Sequence, residues 1–68
     1  MSELPLAAIE RIIRKGSGLR VSDDAAKELA QYLEDDGVRI SQQAALFSKH
    51  AGRKTVNIDD IKLVLKNK

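Results

Sequence analysis

Cysteine and tryptophan are absent, and histidine, proline, methionine, tyrosine and phenylalanine occur once each. Without cysteine there are no disulfides to staple a small fold and no thiolate zinc site. A lone histidine, His50, cannot assemble a metal-ligand cluster, and no serine-histidine-acid pattern accompanies it. Asp23-Asp24 and Asp35-Asp36 are adjacent pairs. On a helix such neighbours diverge, so they read as a cap and a solvated face rather than as acid-base machinery. No enzyme activity, cofactor, metal or small-molecule substrate is expected. With one Tyr and one Phe, both inside one candidate helix, stacking platforms for single-stranded nucleic acid are missing. No apolar run reaches transmembrane length, and signal-peptide and lipidation motifs are lacking, so an intracellular, soluble chain with no membrane partner is expected.

What remains is aliphatic and charged: 43% apolar and 32% charged over 68 residues, the composition of one globular domain spanning 1–68. A chain this short has a marginal core unless it is stapled or oligomeric. With no staple available, oligomerisation follows. Net charge is only +2, yet it is unevenly placed. Residues 1–20 carry four basic and two acidic groups, 21–38 one basic and six acidic, and 39–68 seven basic and two acidic. A surface with a positive side suits a polyanion.

The dominant stretch runs from Ser22 to Ala51. Ser22 can accept from free N–H groups of a first helical turn, where Asp23 and Asp24 complement the helix dipole. Gly52 suits a left-handed position just past the end. Ala26, Leu29, Ala30, Leu33, Gly37, Ile40, Ala44, Phe47 and Ala51 recur at steps of three and four, one face of a helix. Such a rod is roughly 45 Å long, whereas a compact globule of this length is only about 28 Å across. Its apolar stripe therefore needs a second molecule. The competing reading is a break at Asp35-Asp36-Gly37, where Asp-Gly is a turn signal and mid-helix glycine costs about 1 kcal/mol.

Residues 4–15 read as a short helix with Pro5 in its first turn. Leu6, Ile9 and Ile13 share a face with Ile12 beside it, and Arg11, Arg14 and Lys15 lie opposite. Gly16-Ser17-Gly18 reads as a connector, matching neither a P-loop nor a dinucleotide fingerprint. Leu19–Val21 and Arg53–Val56 read as short extended segments. Asn57 caps a last helix with Asp59 and Asp60 in its first turn, Ile58, Ile61 and Leu65 as its stripe and Val64 beside it. Lys66 and Lys68 read as solvated ends. The fold class is all-α: short helix, long helix, short helix.

His50-Ala51-Gly52-Arg53-Lys54-Thr55, followed by Val56 and Asp60, resembles the archaeal histones of the histone-fold family. Leu4-Pro5, Arg11-Ile12-Ile13 and Arg20-Val21-Ser22-Asp23-Asp24 match as well, so the resemblance spans nearly the whole chain, without the tails of eukaryotic core histones. It implies one continuous central helix and a handshake homodimer in which the first loop of one subunit lies beside the second loop of the other. It implies double-stranded DNA as partner, bound by Arg20 in the minor groove with Thr55 supporting it, by Arg53 and Lys54 at phosphates, and by Arg11 and Arg14, with Lys15 beside them, on the first helix. It implies an Arg53–Asp60 ion pair and a dimer–dimer contact of Phe47, His50, Asp60 and Leu63.

The same resemblance implies association with the chromosome in the cytoplasm, assembly on DNA into tetramers and higher chains, and a possible paralogous histone partner. Three stretches depart from the family. Gly16-Ser17-Gly18 stands where Ala-Gly-Ala is frequent, Asn57 where lysine is common, and Gln42-Gln43 where charged residues are common. The alternative function is a histone-fold protein that heterodimerises within a transcription-regulatory complex. Basic residues at every expected duplex contact argue for the DNA-packaging reading.

Overall fold

The structure, a computed structural model, describes residues 3–67; Lys68 lies outside them. It contains three helices: α1 (Leu6–Ser17), α2 (Asp23–His50) and α3 (Ile58–Lys66). No strand occurs among the described residues, so the two segments expected to be extended, 19–21 and 53–56, are loops. By contact density the chain divides into two compact units, Met1–Asp35 and Asp36–Lys68. The boundary falls inside α2, whose hydrogen-bonded helix nevertheless runs without interruption past Gly37. The continuous helix is therefore the correct reading of the Asp-Gly dipeptide. Twenty-eight residues give it a length of about 42 Å.

Local chemistry sets each helix end. Ser22 is the N-cap residue of α2, its Oγ accepting the Ala25 N–H at 3.1 Å. The helix thus starts one residue later than expected, because the cap lies outside it. At the other end Gly52 takes φ 75°, Gly52 N–H donates to the Lys49 carbonyl at 3.0 Å and Arg53 N–H to the Ser48 carbonyl at 2.9 Å. That pair of bonds is a Schellman closure, and the left-handed residue it requires is why a glycine follows the helix.

The connector at 16–18 needs correction. Gly16 and Ser17 are helical, and α1 ends only at Ser17. Ser17 Oγ donates to the Ile13 carbonyl at 2.7 Å and accepts from Leu19 N–H at 3.1 Å, while Gly18, at φ 71°, donates its N–H to the Arg14 carbonyl at 2.8 Å. Serine side-chain bonding and the glycine turn together extend the helix by two residues. Pro5, expected inside the first turn, is instead the N-cap residue of α1.

In the first unit, Ile9 of α1 and Ala26 and Ala30 of α2 are buried, with Leu4, Leu6, Ile13, Val21, Leu29 and Leu33 packed around them. Small side chains on α2 let an aliphatic helix settle close to it. In the second unit the buried positions are Ala44 and Ser48 of α2 and Asp60 and Val64 of α3. The expected α3 stripe is therefore shifted. Val64 faces inward, Ile61 is half-buried, and Ile58 and Leu65 are 68% and 49% exposed. On α2, Leu46 and Tyr32 are 67% and 62% exposed. A single copy thus leaves large apolar side chains uncovered on all three helices.

Candidate nucleic-acid interface

The cations singled out from the sequence fall into three groups. Arg11, Arg14 and Lys15 lie on the exposed side of α1, opposite the buried Ile9. Arg20 is exposed in the loop between α1 and α2, two residues past the left-handed Gly18. Arg53, Lys54 and Thr55 lie in the loop between α2 and α3. Among the described residues, Arg11, Arg14, Lys15, Arg20 and Lys54 have no carboxylate partner. They are accessible positive charges, free to meet an anion.

Arg53 is the exception, and the reason is structural. Its Nη1 donates to Asp60 Oδ2 at 2.9 Å and its Nη2 to Asp60 Oδ1 at 2.8 Å, a two-pronged pair. Planar guanidinium and carboxylate match in this geometry, which fixes direction as well as distance. Arg53 Nη1 also reaches the Thr55 carbonyl at 3.1 Å, and Asp60 Oδ2 accepts the Asn57 N–H at 2.8 Å. Asp60, third residue of α3, thereby ties the start of its helix to the loop before it.

Asp60 is only 2% exposed, yet it stays charged. The Arg53 hydrogen bonds hold its carboxyl down at about 2, with help from the Asn57 N–H and against the opposing effect of burial. The same hydrogen bonds raise the Arg53 guanidinium further above its already high range.

The residues expected at a dimer–dimer contact are differently disposed. His50 is exposed at the end of α2, and Phe47 and Leu63 are 40% and 44% exposed. Asp60 lies beneath this surface and spends both oxygens inside its own chain. The departures from the family pattern have plain local roles. Asn57 is the N-cap residue of α3, and Gln42 and Gln43 lie on α2, the first exposed and the second lining a cavity.

Sequence reasoning missed Ser48. It is 3% exposed, and its Oγ lies 2.8 Å from the Thr55 carbonyl and 3.3 Å from the Arg53 carbonyl. The signal was available: Ser48 stands four residues after the buried Ala44, on the inward side of the helix.

Other chemistry finds little footing. No group of three His, Cys, Asp or Glu among the described residues could hold a metal ion. A cavity of about 260 Å³ in the second unit is lined by Arg39, Ile40, Gln43, Val64 and Asn67, and contains neither nucleophile nor acid. Arg39, its one charged group, is paired with Asp36. No helix among the described residues is long and apolar enough to cross a membrane.

Known proteins share this pattern. The family described as histone-like transcription factor (CBF/NF-Y) and archaeal histone matches residues 2–65. The chain is 52% identical to the archaeal histone HAN1 of Thermococcus zilligii over 66 residues, 97% of this chain and 98% of that protein. It is 41% identical to probable archaeal histone 3 of Methanocaldococcus jannaschii over the same shares of each chain. It is also 42% identical over 57 residues to transcription initiation factor TFIID subunit 6 of Drosophila melanogaster, 82% of this chain but 9% of that larger protein. A short, a long and a short helix, with this breadth of identity, make the chain a member of the histone-fold family of archaeal histones and CBF/NF-Y-like transcription factors.

Proposed function

We propose that this protein is a DNA-packaging histone. Two copies clasp into a handshake homodimer, and the dimer binds double-stranded DNA with little regard to sequence. The supporting observation is the set of five exposed cations, Arg11, Arg14, Lys15, Arg20 and Lys54, none with a carboxylate partner among the described residues. Charges already neutralised inside the protein would release few counterions from DNA; these release many.

In the mechanism, Arg20 enters the minor groove where it faces the protein, with Thr55 beside it. Lys54 and Arg53 meet the phosphates, Arg53 through whatever donor capacity its pair with Asp60 leaves. Arg11, Arg14 and Lys15 hold a further stretch of backbone. Neutralising one side of a duplex and inserting arginine into narrowed grooves bends it, and deformability is then the only source of sequence preference. Phe47, His50 and Leu63, around the edge of the buried Asp60, join dimers into tetramers and longer chains that wrap and compact the DNA. The protein acts at the chromosome in the cytoplasm, without catalysis. A paralogous histone can replace one copy, since the clasp uses only the shared fold.

Nuclease digestion of the protein–DNA complex tests this reading. The expected result is a ladder of protected fragments that grows by a constant step. Absence of protection at saturating protein overturns it. The similarity to a TFIID component carries the second reading, a heterodimeric transcription-regulatory module. That reading predicts a folded complex only with a second, different chain.

A further inference from the structure

We infer that Ser48, which has no surface from which to touch DNA, is the positioning residue of the second DNA-contacting loop; this rests on the reading of that loop given above. Ser48 anchors the loop twice. Its carbonyl accepts the Arg53 N–H at 2.9 Å as part of the closure of α2. Its hydroxyl then reaches across to the other end of the turn, with Thr55 O at 2.8 Å and Arg53 O at 3.3 Å. A hydroxyl has one proton, so the shorter contact holds it and the longer is the looser arm.

Three consequences follow from that strap. Lys54, between the two anchored carbonyls, is exposed and without a carboxylate partner among the described residues, so fixing its neighbours fixes the base of the side chain that meets the phosphate. Thr55 has its backbone held from below while its side chain stays exposed. Removing the hydroxyl leaves no buried orphan, because the Thr55 carbonyl keeps the Arg53 Nη1 donor. The loop therefore loosens without the fold being lost. Alanine is also the better helix former, so Ser48→Ala costs α2 nothing in propensity.

A loosened loop must be ordered when DNA binds, which lowers affinity without deleting a phosphate contact. Ser48→Ala is expected to bind a duplex about tenfold more weakly at fixed salt, a change of about 1.4 kcal/mol. The slope of log affinity against log salt should stay at the wild-type value, because that slope counts phosphates neutralised. Lys54→Ala, by contrast, should lower that slope by about one ion's worth. In the DNA-free protein, backbone order parameters at Lys54 and Thr55 should fall in Ser48→Ala from rigid values of about 0.85 toward about 0.6. Order parameters elsewhere and the mass in solution should not change. A merely structural serine would move the melting temperature and leave these two residues as ordered as before.

Ser48→Thr keeps the hydroxyl, and is expected to restore order at Lys54 and Thr55 and most of the affinity. Wild-type affinity together with unchanged order in Ser48→Ala overturns the inference while leaving DNA binding intact. Failure of the wild-type protein itself to bind duplex overturns the functional reading instead.

Discussion

At the residue scale, the buried Asp60 is the residue on which the second loop depends. Its carboxyl is depressed from 3.8 to about 2, chiefly by the Arg53 hydrogen bonds. The folded state therefore binds fewer protons than the unfolded state through this window, and stability rises with pH there. The contribution is complete above about pH 4 and disappears as pH falls through about 2. Replacing the carboxylate in Asp60→Asn should lower the melting temperature near neutral pH. The gap between variant and wild type should close on acidification between about pH 4 and pH 2. A gap of constant width across that range would mean that the pair contributes no pH-dependent stability. Arg20 offers the complementary test, since it is exposed and without a carboxylate partner among the described residues. Arg20→Ala should weaken binding to every duplex and reduce the salt slope by about 0.9, one phosphate's worth. Unchanged affinity and slope would place Arg20 away from the DNA.

At the scale of elements, what the sequence reveals depends on whether the cause is local. Caps and stops are local, so Ser22, Gly52 and Asn57 mark helix ends to within a residue. The end of α1 was not legible, because two glycines signal a loop while the Ser17 hydroxyl bond to Ile13 extends the helix through the first of them. The inward turn of Val64 in place of Ile58 and Leu65 was equally hidden. It depends on which side α3 presents to its neighbours, and periodicity gives a stripe but not its centre. Ser48 was missed because a serine within an apolar stripe looks like a solvated interruption until its acceptors are located in space.

Two substitutions probe α2. Ser22→Ala should cost about 1 kcal/mol of stability, measured by chemical denaturation, and Ser22→Asp should stay close to wild type. Equal stability of all three would show that the cap hydrogen bond is idle. Gly37 is exposed, and an added methyl there meets nothing within 4 Å inside its own chain. Taken alone, Gly37→Ala would gain about 1 kcal/mol of helix propensity. Since Gly37 lies on the apolar face that a second α2 is proposed to cross, the gain should be absent or reversed where the dimer is populated. A full gain would show that no backbone approaches there.

At the scale of the whole molecule, the uncovered side chains decide what the protein must do before it meets DNA. Leu19, Tyr32, Leu46 and Ile58 are all more than 60% exposed, with Val38, Val56 and Leu65 between 43% and 52%. Large apolar groups left open in this number mark an interface in a stable soluble protein. A twin copy presents the same side chains and buries both sets at once, as an isologous contact requires. Assembly beyond the dimer is a separate step. His50→Ala should leave dimers intact and shorten the nuclease-protected fragments, and survival of the longest fragments would exclude His50 from the contact between dimers.

The clasp itself is tested most directly by the mass of the folded, DNA-free protein at micromolar concentration, measured by light scattering during size exclusion. Dimerisation predicts a helical species of twice the chain mass. A well-folded species of single-chain mass would contradict it, because the exposed side chains of α2 and α3 would then be stable in water with nothing to cover them.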